Sequence, residues 1–461
     1  MNERAVAIDA SRRGILLPVA FGLWAAAIAV SPGWGAKVAL AAPAVAAPAL
    51  WWILARPGRW VALFLAAALL LPPLPIPIGD SGPHPAIVFA AIGLFAGLLR
   101  LREWRLPRDP AAPAMIALFG ILLASVAPAA IHSGGIVAAG SLARVLLFGI
   151  GVYLYIYMSS GPVWESVYLR PLFWAAVLAA LFACVDFYYQ FPAPAGYGPQ
   201  FVWLDSGVYR RAQGLFYEAS TLGNFCAFFL VMIAVAFTRP REQAPVSRAA
   251  LGFGAAVLMA ALVLSYSRAS VITVAIALTV LGWRNRRRLP LLKAAILASA
   301  GALATWWIFP VFVQAWWLRI SASAEYIFTA TEGVLSGRVA SWRALVAWIE
   351  ANPWQLLTGV GYKTLPYTNY VGAPVVADNM YLSLLVETGI AGLLALLWLN
   401  VAILRTAGKA ARSPDSLRSF CGTWMLCFWA GEAVQMASGD LLTYWRVLPV
   451  YFFVLALAVR P

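Results

Sequence analysis

The chain has 461 residues, of which 63% are hydrophobic and only 11% are charged, whereas a soluble globular protein is about half apolar and a quarter charged. This composition excludes a soluble enzyme, a disordered chain and a disulfide scaffold, and it indicates a polytopic membrane protein. The formal net charge of +15 fits either nucleic acid or an anionic membrane surface as a partner, and the positions of the charges decide between them.

Apolar runs recur along the whole chain, and many approach the roughly 20 residues that a helix needs to cross a bilayer. They predict an all-α, polytopic membrane protein with about 12–14 transmembrane helices. The predicted spans lie near residues 14–31, 36–54, 59–72, 85–100, 112–131, 142–159, 171–190, 218–238, 249–265, 268–283, 290–309, 378–404, 417–437 and 443–459. The third span is short and is also compatible with a re-entrant segment.

Two connections between the predicted spans are long, and long loops on a rigid scaffold commonly carry function. They run from about residue 190 to 218 and from about 310 to 377. The second contains an amphipathic helix that is expected to lie on the membrane surface or to pack over the bundle. Ser336 is suited to be its N-cap, and Asn352-Pro353 ends it because the residue before proline resists the α region. Its apolar stripe comprises Val339, Trp342, Leu345, Val346 and Ile349.

The lysines and arginines separate by side when the N-terminus is placed in the cytoplasm. Most of them then fall in alternate connections, such as 100–108, 284–293 and 405–418. Because cytoplasmic connections are enriched in lysine and arginine, both termini are predicted to be cytoplasmic. The net charge is therefore a signal of topology, and nucleic acid is excluded as a partner.

Cysteines and histidines give no sign of a metal site. All four cysteines lie in predicted spans, where they are expected to be small packing residues; they are Cys184, Cys226, Cys421 and Cys427. The two histidines, His84 and His132, fall in separate connections, and one histidine without partners does not hold a metal ion. No phosphate-binding glycine loop or dinucleotide motif appears, so no nucleotide-driven pump and no cofactor is expected.

Several lysines and arginines lie outside the cytoplasmic connections, against the rule that retains cations there, and three arginines among them are candidates for a functional site. They are Arg211, Arg268 and Arg338. The planar fork of arginine binds phosphate oxygens in pairs and cannot lose its charge, so three converging guanidinium groups suit a diphosphate. Composition alone supports equally well a second interpretation, in which these side chains reach lipid phosphates.

A carboxylate, Asp378, stands where the second long connection enters a long span. It is well placed to act as a general base that faces outward. Taken alone, its position favours a second interpretation, in which it caps the helix that follows by accepting hydrogen bonds from free backbone amides.

The order of these residues resembles the O-antigen ligase and Wzy-type polymerase superfamily. The motifs span residues 210 to 400 approximately, and their order around one large outer loop before a long span is a specific combination. They are Arg211-x-x-Gly214-x-Phe216, Ser265-Tyr266-Ser267-Arg268, Ser336-Gly337-Arg338 with Trp342, Asn352-Pro353 with Gly359-Val360-Gly361, and Asp378-Asn379-x-Tyr381-Leu382 with Glu387-x-Gly389 and Gly392.

The resemblance implies a GT-C-like, metal-independent glycosyltransferase of the bacterial inner membrane that acts on the periplasmic face. Its donor would be a glycan joined to undecaprenyl diphosphate. Polymerases transfer the growing chain to another lipid-linked repeat unit, whereas ligases transfer the finished chain to lipid A–core. Ligases carry a histidine just before the Asn-x-Tyr-Leu stretch, where this chain has Asp378. This departure favours a Wzy-type polymerase of O-antigen or exopolysaccharide repeat units and leaves a ligase as the alternative.

The resemblance also implies a division of the chain and a set of partners. N-terminal transmembrane helices would occupy residues 1–200, a catalytic transmembrane region with the periplasmic loop 310–377 would occupy 201–404, and C-terminal transmembrane helices would occupy 405–461. The expected partners are the undecaprenyl-diphosphate-linked oligosaccharide, membrane lipids, and other polysaccharide-assembly proteins such as a flippase or a chain-length regulator.

The predicted reaction is attack by an acceptor hydroxyl on the anomeric carbon of the donor sugar, with departure of undecaprenyl diphosphate. Arg211, Arg268 and Arg338 would stabilise the leaving group, and Asp378 would take the hydroxyl proton, with Glu218 as another candidate base. Substrate-binding roles are predicted for Arg210, Glu218, Ser267, Asn379, Tyr381 and Lys363.

Two other classes of protein remain open. A transporter or lipid-linked oligosaccharide flippase would be expected to place charged groups along a pathway within its spans, whereas here the polar residues gather in the outer loops. A structural membrane subunit without activity predicts no change in glycan assembly when it is lost.

Overall fold

The protein is described by a computed structural model that covers residues 20, 22–56, 58–76, 82–104, 106–160, 168–194, 197–204, 207–285, 313–314, 316–318, 321 and 338–460. Several predictions lie outside the described residues. They concern the first part of the 14–31 span, the 290–309 span and the proposed cap Ser336.

The described chain is built almost entirely of helices, because backbone amides and carbonyls in lipid must find their partners within the segment itself. The helices are α1 Gly33–Ala55, α2 Arg59–Leu70, α3 Pro85–Leu99, α4 Ala111–Ala124, α5 Val126–Ser133, α6 Gly135–Ser160, α7 Leu169–Tyr189, α8 Ala219–Phe237, α9 Arg248–Leu264, α10 Arg268–Arg284, α11 Arg338–Ala351, α12 Gln355–Thr358, α13 Met380–Ala410, α14 Ser416–Gln435 and α15 Leu448–Val459. Their bounds agree with the predicted spans to within three residues, except at the start of α6, the end of α13 and the start of α15. The predicted 112–131 span is divided into α4 and α5.

Among the described residues, six helical segments are long and apolar enough to cross a membrane. They are α1, the consecutive helices α4 and α5 taken together, α6, α7, α8 and α13. Four shorter helices, α2, α3, α9 and α15, are also apolar. The prediction of an all-α, polytopic membrane protein is confirmed.

Backbone contacts divide the chain into two compact units, residues 1–60 and residues 61–461. In the first unit, Arg59 lies over the ring of Trp52, with its guanidinium carbon 4.1 Å from the ring centroid. Every residue predicted for the functional site belongs to the second unit.

Helix α8 is deeply buried in the second unit, and most of its side chains are inaccessible to solvent. It packs against α9, α10 and α14. Phe228 of α8 places its ring 4.3 Å from the rings of both Trp424 in α14 and Tyr451 in α15. This aromatic core fixes α8, and the residues just before α8 are the ones that enter the site.

A short β-hairpin interrupts the first long connection, which the sequence indicates only as a loop. Strands β1 Phe201–Leu204 and β2 Gly207–Arg210 pair antiparallel, with Phe201 opposite Arg210. Strands of four residues are too short to produce a readable alternation of polar and apolar side chains. At the end of the hairpin, Arg210 forms an ion pair with Asp186 of α7 at 3.7 Å.

Helix α13 is broken near its first quarter, although the sequence predicts one continuous span over 378–404. Gly389 adopts φ 71° and ψ −169°, which is incompatible with a helix. The break leaves the carbonyls of the preceding turn without partners in their own helix. Those of Val386 and Glu387 accept instead from the amides of Val360 and Gly361, at 3.1 and 2.8 Å.

The loop that docks on this break requires glycine. Gly359 has φ 67°, and a Cβ added there would lie 2.3 Å from the carbonyl oxygen of Glu387. Gly389 is equally close to the loop, since a Cβ there would lie 2.6 Å from the carbonyl oxygen of Leu356. The glycine motifs quoted for the resemblance, Gly359-Val360-Gly361 and Glu387-x-Gly389, are therefore the two halves of one backbone contact.

We predict that Gly359→Ala destabilises the protein by about 2–5 kcal/mol, because the positive φ costs about 1–2 kcal/mol and the overlap with Glu387 costs about 1–3 kcal/mol. Gly372→Ala is the matched control, since Gly372 also has a positive φ but has open space around it. Thermal unfolding of the purified variants in detergent measures the difference. Equal melting temperatures for the two variants would contradict the docking role of Gly359.

Candidate functional site

Arg211 follows the hairpin directly and is held against the turn between α9 and α10. Its Nε donates to the carbonyl oxygen of Ser265 at 2.8 Å, and the next amide, that of Ala212, donates to the carbonyl of Leu264 at 2.8 Å. Both contacts use carbonyls at the C-terminus of α9, which lack helical partners. The guanidinium of Arg211 is therefore fixed through Nε, and its two terminal nitrogens are the ones that could bind a ligand.

The turn between α9 and α10 presents Arg268 at the same end of the bundle. Ser267 caps α10, with its hydroxyl accepting from the amide of Ser270, so that Arg268 is the first residue of the helix. Helix α8 approaches this turn closely, since a Cβ at Gly223 would lie 2.6 Å from the Cβ of Ser267. The close packing explains why small residues surround Arg268.

Arg338 begins α11, and its Nε donates to Oδ2 of Asp378 at 3.0 Å, forming an ion pair. Trp342, one turn later, donates from its ring nitrogen to the carbonyl of Ala377 at 2.6 Å. Because Asp378 precedes α13, these two contacts attach α11 to the entrance of that helix. The Asp378 side chain remains 45% exposed, so the carboxylate is accessible to solvent.

The apolar face of α11 packs over the loop and over α13, which agrees with the predicted packing over the bundle, but its apolar stripe is shifted. Leu345 is buried with Val360, Leu365, Ala377 and Val386, and Trp348 and Ile349 pack against this group. Val346, predicted to share the stripe, is 45% exposed, because its position rotates it away from the loop.

Lys363 and Glu218 are two further charged residues predicted for the site, and each has a side-chain partner. The Lys363 ammonium forms an ion pair with Asp440, which lies between α14 and α15. Glu218 immediately precedes α8, and its Oε2 accepts from the hydroxyl of Thr221 at 2.6 Å. Both side chains come from connections at the end of the bundle where α8 and α10 begin.

The pKa shifts show that these groups lie in one electrostatic neighbourhood. Burial lowers the pKa of Arg211, Tyr444 and Glu218 raise it, and the positive charges of Arg338 and Arg268 lower it further. Burial raises the pKa of Glu218, and so does Asp378, whereas the hydrogen bond from Thr221 and the charges of Arg211 and Lys363 lower it. We call Arg211, Glu218, Arg268, Arg338, Lys363 and Asp378 the charged cluster.

Backbone strain concentrates at the charged cluster. Among the described residues outside glycine, positive φ angles occur at Gln190, Tyr217, Tyr266, Lys363 and Asp378. Four of these five belong to the cluster or stand within two residues of one of its members. Such conformations cost on the order of 1–3 kcal/mol each and gather at functional sites, so the fold is holding these side chains in particular directions.

The remaining predicted site residues have structural contacts. Arg210 pairs with Asp186, and Ser267 caps α10. Asn379, rather than Asp378, caps α13 by accepting from the amide of Leu382 at 3.1 Å, so the capping interpretation of Asp378 is wrong. The Tyr381 hydroxyl donates to the carbonyl of Ala433 in α14 at 2.6 Å, which is a packing contact.

Three neighbours of the charged cluster are not among the site residues predicted from the sequence. Asp440 pairs with Lys363. Tyr444 is buried, and its pKa is raised first by burial and then by Glu218 among other groups. Burial lowers the pKa of Lys363 most, and the positive charge of Arg144 in α6 lowers it further. The only signal for Arg144 and Asp440 in the sequence is that they are charged on the predicted outer side.

Histidines and cysteines have ordinary packing roles in the described parts of the chain. His84 caps α3 through Nδ1, which accepts from the amide of Ala86 at 3.1 Å, and its Nε2 contacts the carbonyl of Leu71. Burial first, and the charge of Arg446 second, lower the pKa of His84 to about 4. Within the described ranges, no three histidine, cysteine, aspartate or glutamate side chains lie close enough to hold a metal ion. All four cysteines are free.

Residues 253–397 match the family model described as O-antigen ligase, and a search of curated proteins finds no match. The matched region contains Arg268, Arg338, Lys363 and Asp378, whereas Arg211 and Glu218 precede it. Proteins of this family are glycosyltransferase-like ligases and polymerases, which supports an enzyme. This multi-pass membrane protein therefore carries, over residues 253–397, a domain of the O-antigen ligase and Wzy-type polymerase superfamily.

Proposed function

We propose that the protein is a metal-independent membrane glycosyltransferase that polymerises undecaprenyl-diphosphate-linked repeat units on the periplasmic face of the bacterial inner membrane. The observation that carries the proposal is the convergence of Arg211, Arg268 and Arg338 beside an accessible carboxylate, Asp378, within and next to a family domain. In this orientation both termini are cytoplasmic, and residues 201–404 form the catalytic region between two sets of transmembrane helices.

The arginines would stabilise the leaving group. In the reaction the acceptor hydroxyl oxygen bonds to the anomeric carbon, the bond from that carbon to the phosphate oxygen breaks, and the electron pair leaves with undecaprenyl diphosphate. Negative charge therefore grows on the diphosphate. Fixed guanidinium groups in a partly buried site stabilise such charge without having to reorganise, and Arg211 is already fixed by its bond to Ser265.

Asp378 would accept the proton of the hydroxyl as the new bond forms. Its Oδ2 accepts from Arg338 in the ion pair, so release of Arg338 would make both carboxylate oxygens available to the acceptor hydroxyl. A diphosphate offers Arg338 a stronger bidentate partner. Donor binding would thereby draw Arg338 away from Asp378 and leave the carboxylate available to the acceptor. The protonated Asp378 returns its proton to solvent after departure of the product.

Glu218 is the second candidate for the base. Burial raises its pKa, which favours proton acceptance near neutral pH. Its Oε2 is hydrogen-bonded to Thr221, however, and it stands at the start of the deeply buried helix α8. Because a base must first be within reach of the acceptor hydroxyl, we assign the proton to Asp378 and give Glu218 the role of balancing the charge of Arg211.

The choice of a polymerase over a ligase rests on Asp378, which stands where the resemblance places a histidine in ligases. His84 lies elsewhere, because it caps α3. His132 stacks on Tyr370 and not on Asp378. The product would be an O-antigen or an exopolysaccharide, and a flippase and a chain-length regulator are the expected partners.

The test is the surface-glycan profile of a deletion strain, complemented with the wild-type gene or with an Asp378→Asn variant. We expect single repeat units attached to the acceptor in the deletion strain and in the variant, and polymer after wild-type complementation. Unattached polymer would identify a ligase, and repeat units trapped in the cytoplasm would identify a flippase. An unchanged profile would exclude all three activities.

A further inference from the structure

Two exposed tyrosines near the charged cluster are fixed in position, which is unusual for exposed side chains. Tyr367 and Tyr370 are 48% and 41% exposed. Both lie in the short stretch that follows Lys363, a member of the charged cluster, at four and seven residues after it. Together with their supporting side chains His132, Arg144 and Gln355, we call them the aromatic ledge.

Each tyrosine is held both by its hydroxyl group and by a ring face. Arg144 donates from Nη2 to the hydroxyl of Tyr367 at 2.8 Å, and its guanidinium carbon lies 4.8 Å from the centroid of the same ring. Gln355 donates to the hydroxyl of Tyr370 at 2.8 Å. The ring of His132 stacks on Tyr370, with centroids 4.3 Å apart and an angle of 29° between the planes.

The supports come from three different parts of the fold. His132 belongs to α5, Arg144 to α6 and Gln355 to α12. Trp348 of α11 also meets the edge of Tyr370, with ring centroids 6.0 Å apart. Since the ledge is anchored on four elements, its rings are ordered before any ligand arrives, and a ligand that stacks on them does not have to immobilise them.

The chemistry of the ledge matches a neutral sugar better than a lipid. A pyranose ring presents a flat face of C–H groups, which stack on the electron-rich face of an aromatic ring, and a rim of hydroxyls, which need hydrogen-bonding partners. The exposed side chain of Asn369 lies between the two tyrosines along the chain. The two tyrosine hydroxyls lie at the ring edges, where Arg144 and Gln355 donate to them. These polar groups suit sugar hydroxyls, whereas an acyl chain offers them no hydrogen bond.

We propose that the aromatic ledge is a binding subsite for sugar rings of the glycan chain, remote from the bond that reacts. The proposal rests on the proposed function for the position of the reacting bond, and it adds where the rest of the glycan lies. Arg144 links the two regions, because it fixes Tyr367 and also acts electrostatically on Lys363. The sugar rings belong either to the donor chain or to the acceptor chain.

The first experiment measures binding without transfer. Oligosaccharides of one to six repeat units, released from the surface polysaccharide of the host bacterium, are titrated into the purified full-length protein in nanodiscs. We expect affinity to rise with chain length for the wild type and to fall about tenfold for the longer oligosaccharides in Tyr370→Ala. Tyr370→Phe, which keeps the ring, should bind within a few-fold of the wild type.

Trp354→Ala is the matched control, since Trp354 is 79% exposed in the same loop but does not belong to the ledge. It should bind like the wild type. Equal losses in Trp354→Ala and Tyr370→Ala, or no loss in Tyr370→Ala, would overturn the proposal. So would normal binding together with reduced membrane insertion of Tyr370→Ala, because that result identifies the ledge as an anchor at the lipid interface.

The second experiment shows whether the ledge binds the donor chain or the acceptor chain. It also tests the ledge and the proposed function independently of each other. Transfer is measured with donor and acceptor lengths varied independently, and the Tyr370→Ala defect in KM should follow the length of one of them. Binding that depends on Tyr370 in a protein without transfer would sustain the ledge and contradict the proposed function. Transfer whose KM is independent of both lengths and of Tyr370 would sustain the function and contradict the ledge.

Discussion

Arg268→Lys is expected to lower glycosyl transfer by about 10²–10³-fold, the range found when one preorganised donor to a developing charge is removed. Lysine keeps the positive charge at the start of α10 and can reach past the cap formed by Ser267. It loses the planar fork that binds two phosphate oxygens at once. The measurement is the rate of polymer formation by purified protein with a lipid-diphosphate-linked donor.

Arg170→Lys is the matched control for this substitution. Arg170 is an exposed residue at the start of α7, whereas the other end of α7 contacts the hairpin through Asp186. The control changes the same atoms far from the charged cluster and should retain wild-type transfer. Transfer by Arg268→Lys at the level of the control would remove Arg268 from the diphosphate site.

Asp378→Asn is expected to lower kcat by about 10²–10⁴-fold, which is the usual contribution of a general base. Asparagine tolerates a positive φ, so it fits the φ of 44° at this position, and its amide oxygen can still accept from Arg338. The substitution therefore removes the base and preserves the backbone and the contact with α11. The measurement is kcat for polymer formation by the purified variant.

Glu218→Gln separates the two candidate bases. The glutamine amide oxygen can accept the hydrogen bond that Thr221 now donates to Glu218, and the expected loss of kcat is less than about tenfold. A large loss with Glu218→Gln and a small loss with Asp378→Asn would reverse the assignment and make Glu218 the proton acceptor. The melting temperature of each variant in detergent shows whether folding contributes to the loss.

The helical framework could be predicted because hydropathy and span length are local properties. Helix α8, for example, is predicted at 218–238 and observed at Ala219–Phe237. The break at Gly389 could not be predicted from its own neighbourhood, because glycine is common in membrane helices. What specifies the break is the loop at Gly359, which supplies donors to the freed carbonyls from about thirty residues earlier in the chain.

Part of the candidate site could likewise be predicted from the sequence, and part of it could not. Arg211, Arg268 and Arg338 could be identified because they oppose the distribution of charge along the chain, and the structure brings them together. The pairing of Lys363 with Asp440 joins residues from separate connections, so no spacing in the sequence reports it. Asn379 and Tyr381 fit a family motif, but local contacts with Leu382 and Ala433 account for them, and only the fold reveals such contacts.

We propose that the charged cluster transfers glycan from a lipid diphosphate, and reconstitution tests this role. Purified protein in lipid vesicles is supplied with undecaprenyl-diphosphate-linked repeat units, and glycan length is measured together with released undecaprenyl diphosphate. We expect polymer and one released lipid diphosphate for each bond formed by the wild type, and neither product from a variant with Arg211, Arg268 and Arg338 replaced by glutamine. Wild-type protein that forms no polymer under these conditions, or a triple variant that forms it at the wild-type rate, would contradict this role of the cluster.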